Sequence, residues 1–142
     1  MSALPDDPSL AIDVRVYYYD TDAAGVVHNI AYLRYIEEAR TRLAERLDWP
    51  LEAMAEGPVV PVVRRTEIDY LRPAKLADRL RVEGRLAAIG AASFDIEFEV
   101  TRPADGAGIV RCRQRLVGVH LATGRPARTR ADWRARWPRL VE

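Results

Sequence analysis

The stretch NIAYLRYIEEARTRLAERL, residues 29–47, decides the fold, because its apolar side chains recur at spacings of three and four. This period predicts a helix with one apolar stripe, formed by Tyr32, Ile36, Ala39, Leu43 and Leu47. We expect Asn29 to cap the start of the helix, since asparagine is favoured at that position. The following Asp48-Trp49-Pro50 predicts its end, because proline disfavours helical geometry in the residue before it. A stripe this broad requires a large partner surface.

Strands elsewhere in the chain are expected to supply that surface. Residues 12–19 and several segments after the helix alternate apolar with polar residues, which is typical of half-buried strands. The later segments are 59–70, 79–86, 94–101 and 109–121. In the last of them the apolar parity changes between Cys112 and Val117, which predicts a bulge or a strong bend. The connections are short and turn-like, so successive strands are expected to be antiparallel.

One strand, one long helix and then four strands predict an α+β fold, in which an antiparallel β-sheet packs one face on the helix. We interpret residues 1–142 as a single domain with a core of about 12–128 and a basic C-terminal tail, 129–142. Residues 1–10 are expected to form a loose lead-in. A short helix is expected around residues 132–137.

Composition narrows the functional classes. The 142 residues are 49% hydrophobic and carry a net charge of +1, so no overall field recruits nucleic acid or a membrane. Residues 111–142 nevertheless hold nine arginines against two acidic residues. Cys112 is the single cysteine, and the N-terminus has neither a basic region nor a long apolar run. These features predict a cytoplasmic protein without a signal peptide or a membrane span.

The densest polar cluster is YYYDTDAAGVVHN, residues 17–29, between a predicted strand and the helix. Free N–H groups at a helix N-terminus can polarise a carbonyl or hold an oxyanion. A carboxylate on the entering loop, Asp20 or Asp22, can activate water against that carbonyl. The pairing suits transfer of an acyl group to water.

Other interpretations of these residues are structural. Aspartates before helices are often caps or turn formers, and His28 beside a helix start is more often a hydrogen-bonded structural residue. Asp20, Asp22 and His28 match no established metal spacing, so no metal site is predicted. Cys112 lies within a strand and is expected to be a buried structural thiol.

Three segments together resemble the 4-hydroxybenzoyl-CoA thioesterase family, and especially its Tol-Pal-associated branch. They are RVYYYDTDAAGVVHNIAYLRYIEEART (15–41), VVRRTEIDYLRPAKLADRL (62–80) and RLVGVHLATGRPAR (115–128). The resemblance implies the hotdog fold, an antiparallel β-sheet wrapped around one long central helix. It also implies a homodimer or homotetramer with sites at the subunit boundary.

The resemblance carries roles to individual positions. Asp22 matches the catalytic carboxylate, Asn29 the residue whose backbone N–H stabilises the oxyanion, and Gly25 the glycine that lets the loop approach the thioester. Asp20 matches a structural carboxylate. Supporting positions are Tyr18, His28, Tyr32 and Glu37, although relatives usually have Tyr-His where this chain has His28-Asn29. Candidate contacts to the substrate's CoA are Arg64, Arg65, Arg72, Lys75, Ser93, Arg125 and Arg128.

The resemblance implies an acyl-CoA thioesterase that hydrolyses an acyl- or aryl-CoA to the free acid and CoA. Asp22 is expected to act as general base or as nucleophile, and the reaction requires no metal or cofactor beyond the CoA of the substrate. Two alternatives stay open. One is a hotdog module that binds an acyl thioester or a partner without turnover, and the other is a thioesterase acting on acyl carrier protein.

Overall fold

A computed structural model describes residues 4–142, and its longest helix, α1, spans Asn29–Arg46. Five strands accompany it: β1 (Ser9–Arg15), β2 (Val59–Tyr70), β3 (Arg79–Ile89), β4 (Ser93–Arg102) and β5 (Ala107–His120). Two shorter helices are α2 (Leu51–Glu56) and α3 (Ala131–Arg136), and single 3-10 turns cover Tyr18–Asp20 and Pro138–Leu140. In the described part of the chain, no helix has the length and apolar character needed to cross a membrane.

The strands form one antiparallel sheet in the order β1-β3-β4-β5-β2. Its inner face packs on the apolar stripe of α1, where Ile36, Ala39 and Leu43 are fully buried. One end of the sheet, which we call the loop end, contains Tyr70, Arg79, Arg102 and Ala107. The opposite end, the far end, contains Val59, Ile89, Ser93 and His120. Strands of about ten residues separate these ends by roughly 30 Å.

The outer face of the sheet is charged. The strand register places Arg85 opposite Glu97, and Glu97 opposite Arg113. Asp95 lies deeper, with only 3% of its surface exposed, and accepts hydrogen bonds from Arg113 and Arg115. An antiparallel sheet with one packed face alternates apolar and polar residues in this way, which explains the alternation in the sequence.

Several predicted boundaries are wrong. Strand β1 begins at Ser9, within the expected lead-in, and ends at Arg15 instead of continuing to residue 19. The Val16 N–H donates to the Asp78 carbonyl, after which the chain turns into the Tyr18–Asp20 3-10 helix. Local alternation predicted a strand there, but the chain leaves the sheet before it can pair.

The expected bulge in β5 lies elsewhere. Between Val63 and Arg65 the pairing of β2 with β5 shifts by one residue, so Arg64 of β2 is the extra residue opposite this part of β5. A second shift between Val100 and Thr101 makes Ile109 the extra residue within β5 itself. The change of parity in the sequence indicates an irregularity, but which strand contains the extra residue depends on how the strands pair.

The C-terminal segment completes the core. Helix α3 forms where a short helix was expected, and it buries Trp133. Trp137 is fully buried, so the core extends past residue 128. The Trp137 indole N–H donates to the carbonyls of Pro5 and Asp6, which joins the two ends of the described chain.

Candidate active site

The polar cluster of residues 20–28, which we call the Asp22 loop, is held closed by backbone hydrogen bonds. Thr21 and Val27 form an antiparallel bridge, and the Asp22 N–H donates to the Val26 carbonyl at 2.9 Å. Gly25 has a φ of +77°, in the left-handed region that favours glycine, and its N–H donates to the Asp22 carbonyl. The loop therefore presents residues 22–24 as a tight turn in solvent.

The loop is also fastened to the loop end of the sheet. The Val27 N–H donates to the Ala74 carbonyl at 2.9 Å, and Val26 forms a bridge with Lys75. The Ala74 N–H in turn donates to the Tyr32 hydroxyl at 3.2 Å. Tyr32 is nearly fully buried, and this burial raises the pKa of its hydroxyl. The protonated hydroxyl of Tyr32 therefore connects Ala74, which supports the Asp22 loop, to helix α1.

The Asp22 carboxylate is exposed, and one of its two oxygens accepts a hydrogen bond. Its Oδ1 accepts a hydrogen bond from the Ala24 N–H at 2.8 Å, as in an Asx turn. Among the described residues its Oδ2 has no partner. The backbone bond orients the carboxylate and leaves one oxygen available to accept a proton.

Helix α1 begins at Asn29, and its cap is His28, not Asn29 as predicted. The His28 Nδ1 accepts a hydrogen bond from the Ala31 N–H at 3.1 Å, and its Nε2 lies 3.4 Å from the Tyr19 carbonyl. These contacts require a proton on Nε2 and a lone pair on Nδ1. Within the described chain the N–H groups of Asn29 and Ile30 have no partner. They form a free pair of donors at the positive end of the helix dipole.

Asp20 is built differently from Asp22. Only 2% of its surface is exposed, and both oxygens are engaged, by the Tyr17 N–H at 2.9 Å and the Arg34 guanidinium at 2.7 Å. These contacts fit a structural carboxylate. Tyr35 packs nearby, and burial, followed by the proximity of Asp20, raises the pKa of its hydroxyl.

The other supporting positions are spread along the chain. The Tyr18 side chain is exposed on the 3-10 turn before the loop. Glu37 is exposed beside Arg40, at an oxygen–nitrogen distance of 3.4 Å. It lies eight residues after Asn29, which is roughly 12 Å along the helix. Within one chain, Glu37 is therefore outside the reach of the Asp22 loop.

Candidate CoA contacts fall into groups. Lys75 is exposed beside the Asp22 loop, and Arg72 is exposed at the same end, where it donates to the Gly108 carbonyl. Arg64 and Arg65 are exposed on β2, with Arg65 paired to Glu67 at 2.8 Å. The remaining three, Ser93, Arg125 and Arg128, lie at the far end. One chain thus brings only Lys75 and Arg72 to the loop.

A buried polar side chain under the helix, that of Gln114, was not predicted from the sequence. Gln114 accepts a hydrogen bond from Arg40 at 2.7 Å and donates to the Thr66 hydroxyl at 3.2 Å. It ties the middle of α1 to β5 and β2. The available signal was a polar residue at a core-facing parity, between Cys112 and Leu116. Burial raises the pKa of the Cys112 thiol to about 11, as suits a structural cysteine.

No metal centre is evident at the loop. Within residues 4–142, no three His, Cys, Asp or Glu side chains group closely enough to hold an ion. The chemistry that the described residues offer is an exposed carboxylate and, at the other end of the same short loop, two free backbone N–H donors. Groups of these two kinds can activate water and hold an oxyanion.

Comparison with known sequences gives consistent matches. The acyl-CoA thioesterase YbgC of Haemophilus influenzae is 37% identical over 97 residues, which are 68% of this chain and 71% of that protein. The acyl-CoA thioester hydrolase YbgC of Escherichia coli is 36% identical over 81 residues. That match spans 57% of this chain and 60% of the Escherichia coli protein, less than two thirds of its length.

Comparison with solved structures identifies the fold. The 1,4-dihydroxy-2-naphthoyl-CoA thioesterase Slr0204 from Synechocystis superposes with a TM-score of 0.81 at 23% identity, over 90% of this chain and 94% of that one. The hotdog fold expected from the resemblance is confirmed. A family model described as the thioesterase-like superfamily matches residues 16–137. The chain therefore belongs to the thioesterase-like superfamily.

Proposed function

We propose that this protein is an acyl-CoA thioesterase. The observation that carries the proposal is a single fastened loop that ends in an exposed Asp22 carboxylate oxygen on one side and unpaired helix N–H groups on the other. The names of the YbgC relatives support an acyl-CoA thioester as the substrate. The finer assignment to the 4-hydroxybenzoyl-CoA family and its Tol-Pal-associated branch is likewise a proposal, based on the sequence motifs.

In this mechanism the thioester carbonyl oxygen accepts hydrogen bonds from the Asn29 N–H and its neighbour on Ile30. Asp22 removes a proton from water, and the resulting hydroxide adds to the carbonyl carbon. The helix N-terminus stabilises the oxyanion that forms. Its collapse breaks the carbon–sulfur bond, and the CoA thiolate leaves and takes up a proton. Direct attack by Asp22, through a transient anhydride that water then cleaves, gives the same products.

A homodimer would complete the site. Strand β2 is an edge of the sheet and twelve residues long, and it is exposed over most of its length. An unpaired edge of this kind is suited to strand pairing with a second copy. Two-fold antiparallel pairing of β2 with the same strand of the partner sets the Val59 end of one strand beside the Tyr70 end of the other.

That pairing would bring the scattered positions together. The partner's Asp22 loop would lie beside this chain's far end, where Ser93, Arg125 and Arg128 are located. Arg64 and Arg65 would lie near the two-fold axis, and Lys75 and Arg72 already adjoin the loop of their own chain. Arginine and lysine side chains are suited to the phosphates of CoA. We also propose a cytoplasmic location and hydrolysis without a cofactor, on sequence grounds alone.

The test is thiol release measured with a coloured disulfide reagent across short, long and aromatic acyl-CoAs. Loss of a positioned base costs roughly 10²–10⁴-fold in rate, so Asp22→Asn should reduce turnover by that amount. The matched control is Asp7→Asn, which removes an exposed carboxylate near β1, at the other edge of the sheet from β2. Full turnover by Asp22→Asn would overturn the assignment of Asp22.

The same assay separates the alternatives. Thermal stabilisation by acyl-CoA without thiol release would identify a binding module. Faster hydrolysis of an acyl carrier protein thioester, with a rate that falls as salt is added, would identify the carrier protein as the substrate. The exposed Arg125 would then serve an acidic partner.

A further inference from the structure

Two apolar cavities lie at the far end of the sheet. The first, about 270 Å³, lies between the C-terminal half of α1, α2 and the inner face of the sheet. The second, about 370 Å³, lies under the segments 57–59 and 127–130. Their linings share three residues and no others: Trp49, Phe94 and Trp133. We call these three side chains the aromatic wall.

The aromatic wall is a packed unit. Phe94 and Trp133 meet edge to face with ring centroids 5.3 Å apart, and the centroid of the Trp49 ring lies 5.9 Å from that of Trp133 and 6.3 Å from that of Phe94. The Trp133 indole N–H donates to the Leu47 carbonyl at 2.9 Å, which fixes this ring at the end of α1. Phe94 and Trp133 are buried, and Trp49 is partly buried against the core. Edge-to-face contacts of this type stabilise one arrangement of the rings.

The first cavity faces the edge of the sheet that the proposed dimer uses. Val60, Pro61 and Val63 of β2 line it, and two-fold pairing of β2 sets the partner's Asp22 loop beside this part of the strand. An acyl group whose thioester lies at that loop would therefore enter the first cavity and meet the aromatic wall at its end. Glu37 and Arg40 also line this cavity, which places them on the acyl path.

Resting on the proposed thioesterase function, we propose that the aromatic wall sets the upper size of the acyl group by separating the first cavity from the second. A cavity of about 150 Å³ admits benzene. The first cavity, at about 270 Å³, therefore suits a substituted single ring or a short to medium acyl chain. The second cavity stays closed to the substrate while the wall is intact.

The test opens the wall at its least buried ring. Within the described residues the Trp49 indole N–H has no hydrogen-bond partner, so Trp49→Ala removes no polar contact of that side chain. We expect the ratio of kcat/KM for long-chain to short-chain acyl-CoA to rise at least about tenfold, since even one added methylene in an apolar pocket changes kcat/KM by about tenfold or more. Phe94→Leu also opens the aromatic wall, by replacing a different ring, and it provides the same test if Trp49→Ala does not fold.

A matched pair of substitutions distinguishes the cavities. Ala44 lines only the first cavity and Ala53 only the second, and both lie on helices. Ala44→Leu should shorten the accepted chain in the wild-type background. Ala53→Leu should leave the wild-type profile unchanged and cancel the gain made by Trp49→Ala. The proposal would be overturned if Trp49→Ala and Phe94→Leu both fold and keep the chain-length profile of the wild type. It would also be overturned if Ala44→Leu and Ala53→Leu, each made in the wild type, shorten the accepted chain equally.

A binding measurement keeps this inference separate from the proposed function. S-alkyl-CoA thioethers lack the carbonyl and cannot be hydrolysed, and their binding can be followed by intrinsic tryptophan fluorescence. If no acyl-CoA is hydrolysed, the thioesterase proposal fails while a longer alkyl limit in Trp49→Ala still supports the wall. If hydrolysis occurs, and if Trp49→Ala has the same chain-length limit as the wild type in both hydrolysis and thioether binding, the aromatic-wall proposal fails while the thioesterase proposal stands.

Discussion

Asp22 and Asp20 are separated by one residue, yet their surroundings suit them to different roles. Asp20 is buried and fully engaged, whereas Asp22 is exposed and keeps one free oxygen. Gly25, three residues after Asp22, closes the turn in which Asp22 lies, because its positive φ accompanies an N–H that donates back to the Asp22 carbonyl. This glycine therefore holds the turn that presents the candidate base in solvent.

Gly25 and Gly124 offer a matched test of that role. Both have a positive φ, +77° and +72°, and neither has an atom within 4 Å of an added Cβ. Replacement by alanine should therefore cost each protein about 1 kcal/mol in the free energy of unfolding, from backbone strain alone. Only Gly25→Ala should lower kcat/KM for thiol release. Urea unfolding and the thiol assay measure the two effects, and an equal loss of activity in Gly124→Ala would contradict the assignment.

Asp95 gives the stability of the sheet a pH dependence. Its burial acts to raise the pKa, but hydrogen bonds from Arg115 and Arg113 outweigh it and lower the pKa of this carboxyl. A carboxyl with a lowered folded-state pKa stabilises the protein above its ordinary value of about 3.9, and the contribution is lost as pH falls through the lowered value.

Asp95→Asn should therefore lower the free energy of unfolding by about 1–2 kcal/mol at neutral pH, since both arginines are partly exposed. The difference from the wild type should shrink as pH falls through the lowered pKa of Asp95, that is, below the ordinary carboxyl value of about 3.9. Urea denaturation at neutral pH and over the acidic range measures it. A difference that stays constant with pH would show that the ion pairs are not its source.

At the scale of elements, the start of α1 links stability to the site. His28 caps the helix through Nδ1, so this ring decides where the helix begins and where the free N–H groups of Asn29 and Ile30 are located. The sequence predicts the cap at Asn29, one residue late, because asparagine is favoured at caps and histidine is less usual there. The shift matters, since it makes Asn29 the first residue of the helix, and its N–H has no partner among the described residues.

Two substitutions separate capping from chemistry at His28. His28→Ala should lower the free energy of unfolding by about 1 kcal/mol and reduce turnover, because the first turn loses its cap. His28→Asn should restore the stability, and with it the turnover, since asparagine caps well without an imidazole. Thermal unfolding and thiol release are compared for the same preparations. Restored stability without restored turnover would assign a chemical role to the ring.

The elements that sequence predicted best are those with local causes. The period of α1 predicts its range within one residue, and the later strands follow from their alternation. The overextended first strand shows the limit, because the YYY run has strand-forming residues but no neighbour to pair with. That Asp22 and Asn29 lie on one short loop was predictable from the sequence, whereas the choice of Asp22 over Asp20 as the candidate base came from the family resemblance and stays a prediction. Gln114, Thr66 and the aromatic wall were not, because each depends on contacts between distant segments.

At the scale of the whole molecule, the unpaired β2 edge predicts a dimer. Val62 is 44% exposed in one chain, which suits a residue covered by a partner. Val62→Asp should leave the folded chain intact. With Arg64 and Arg65 near the two-fold axis, however, position 62 pairs with position 67 of the partner strand, so the new carboxylate faces a glutamate of like charge. We expect the dissociation constant of the dimer to rise by about two orders of magnitude and turnover to fall with it.

Light scattering and the thiol assay over a range of protein concentrations measure these changes together. Val62→Thr, which keeps the β-branched shape without the charge, is the control. A wild-type protein that is monomeric at micromolar concentration and fully active would exclude a site shared between subunits.

The joining of the two ends of the chain has a consequence for biosynthesis. Trp137 is buried in the core and donates its indole N–H to the carbonyls of Pro5 and Asp6, and the Glu142 N–H donates to the Ile89 carbonyl. A nascent chain whose residues 131–142 are still held in the ribosomal exit tunnel therefore lacks part of its core, although the segments that form α1 and the sheet have already been translated. Folding of the domain is expected to finish only once these residues have left the tunnel, which leaves the growing chain open to chaperones until then.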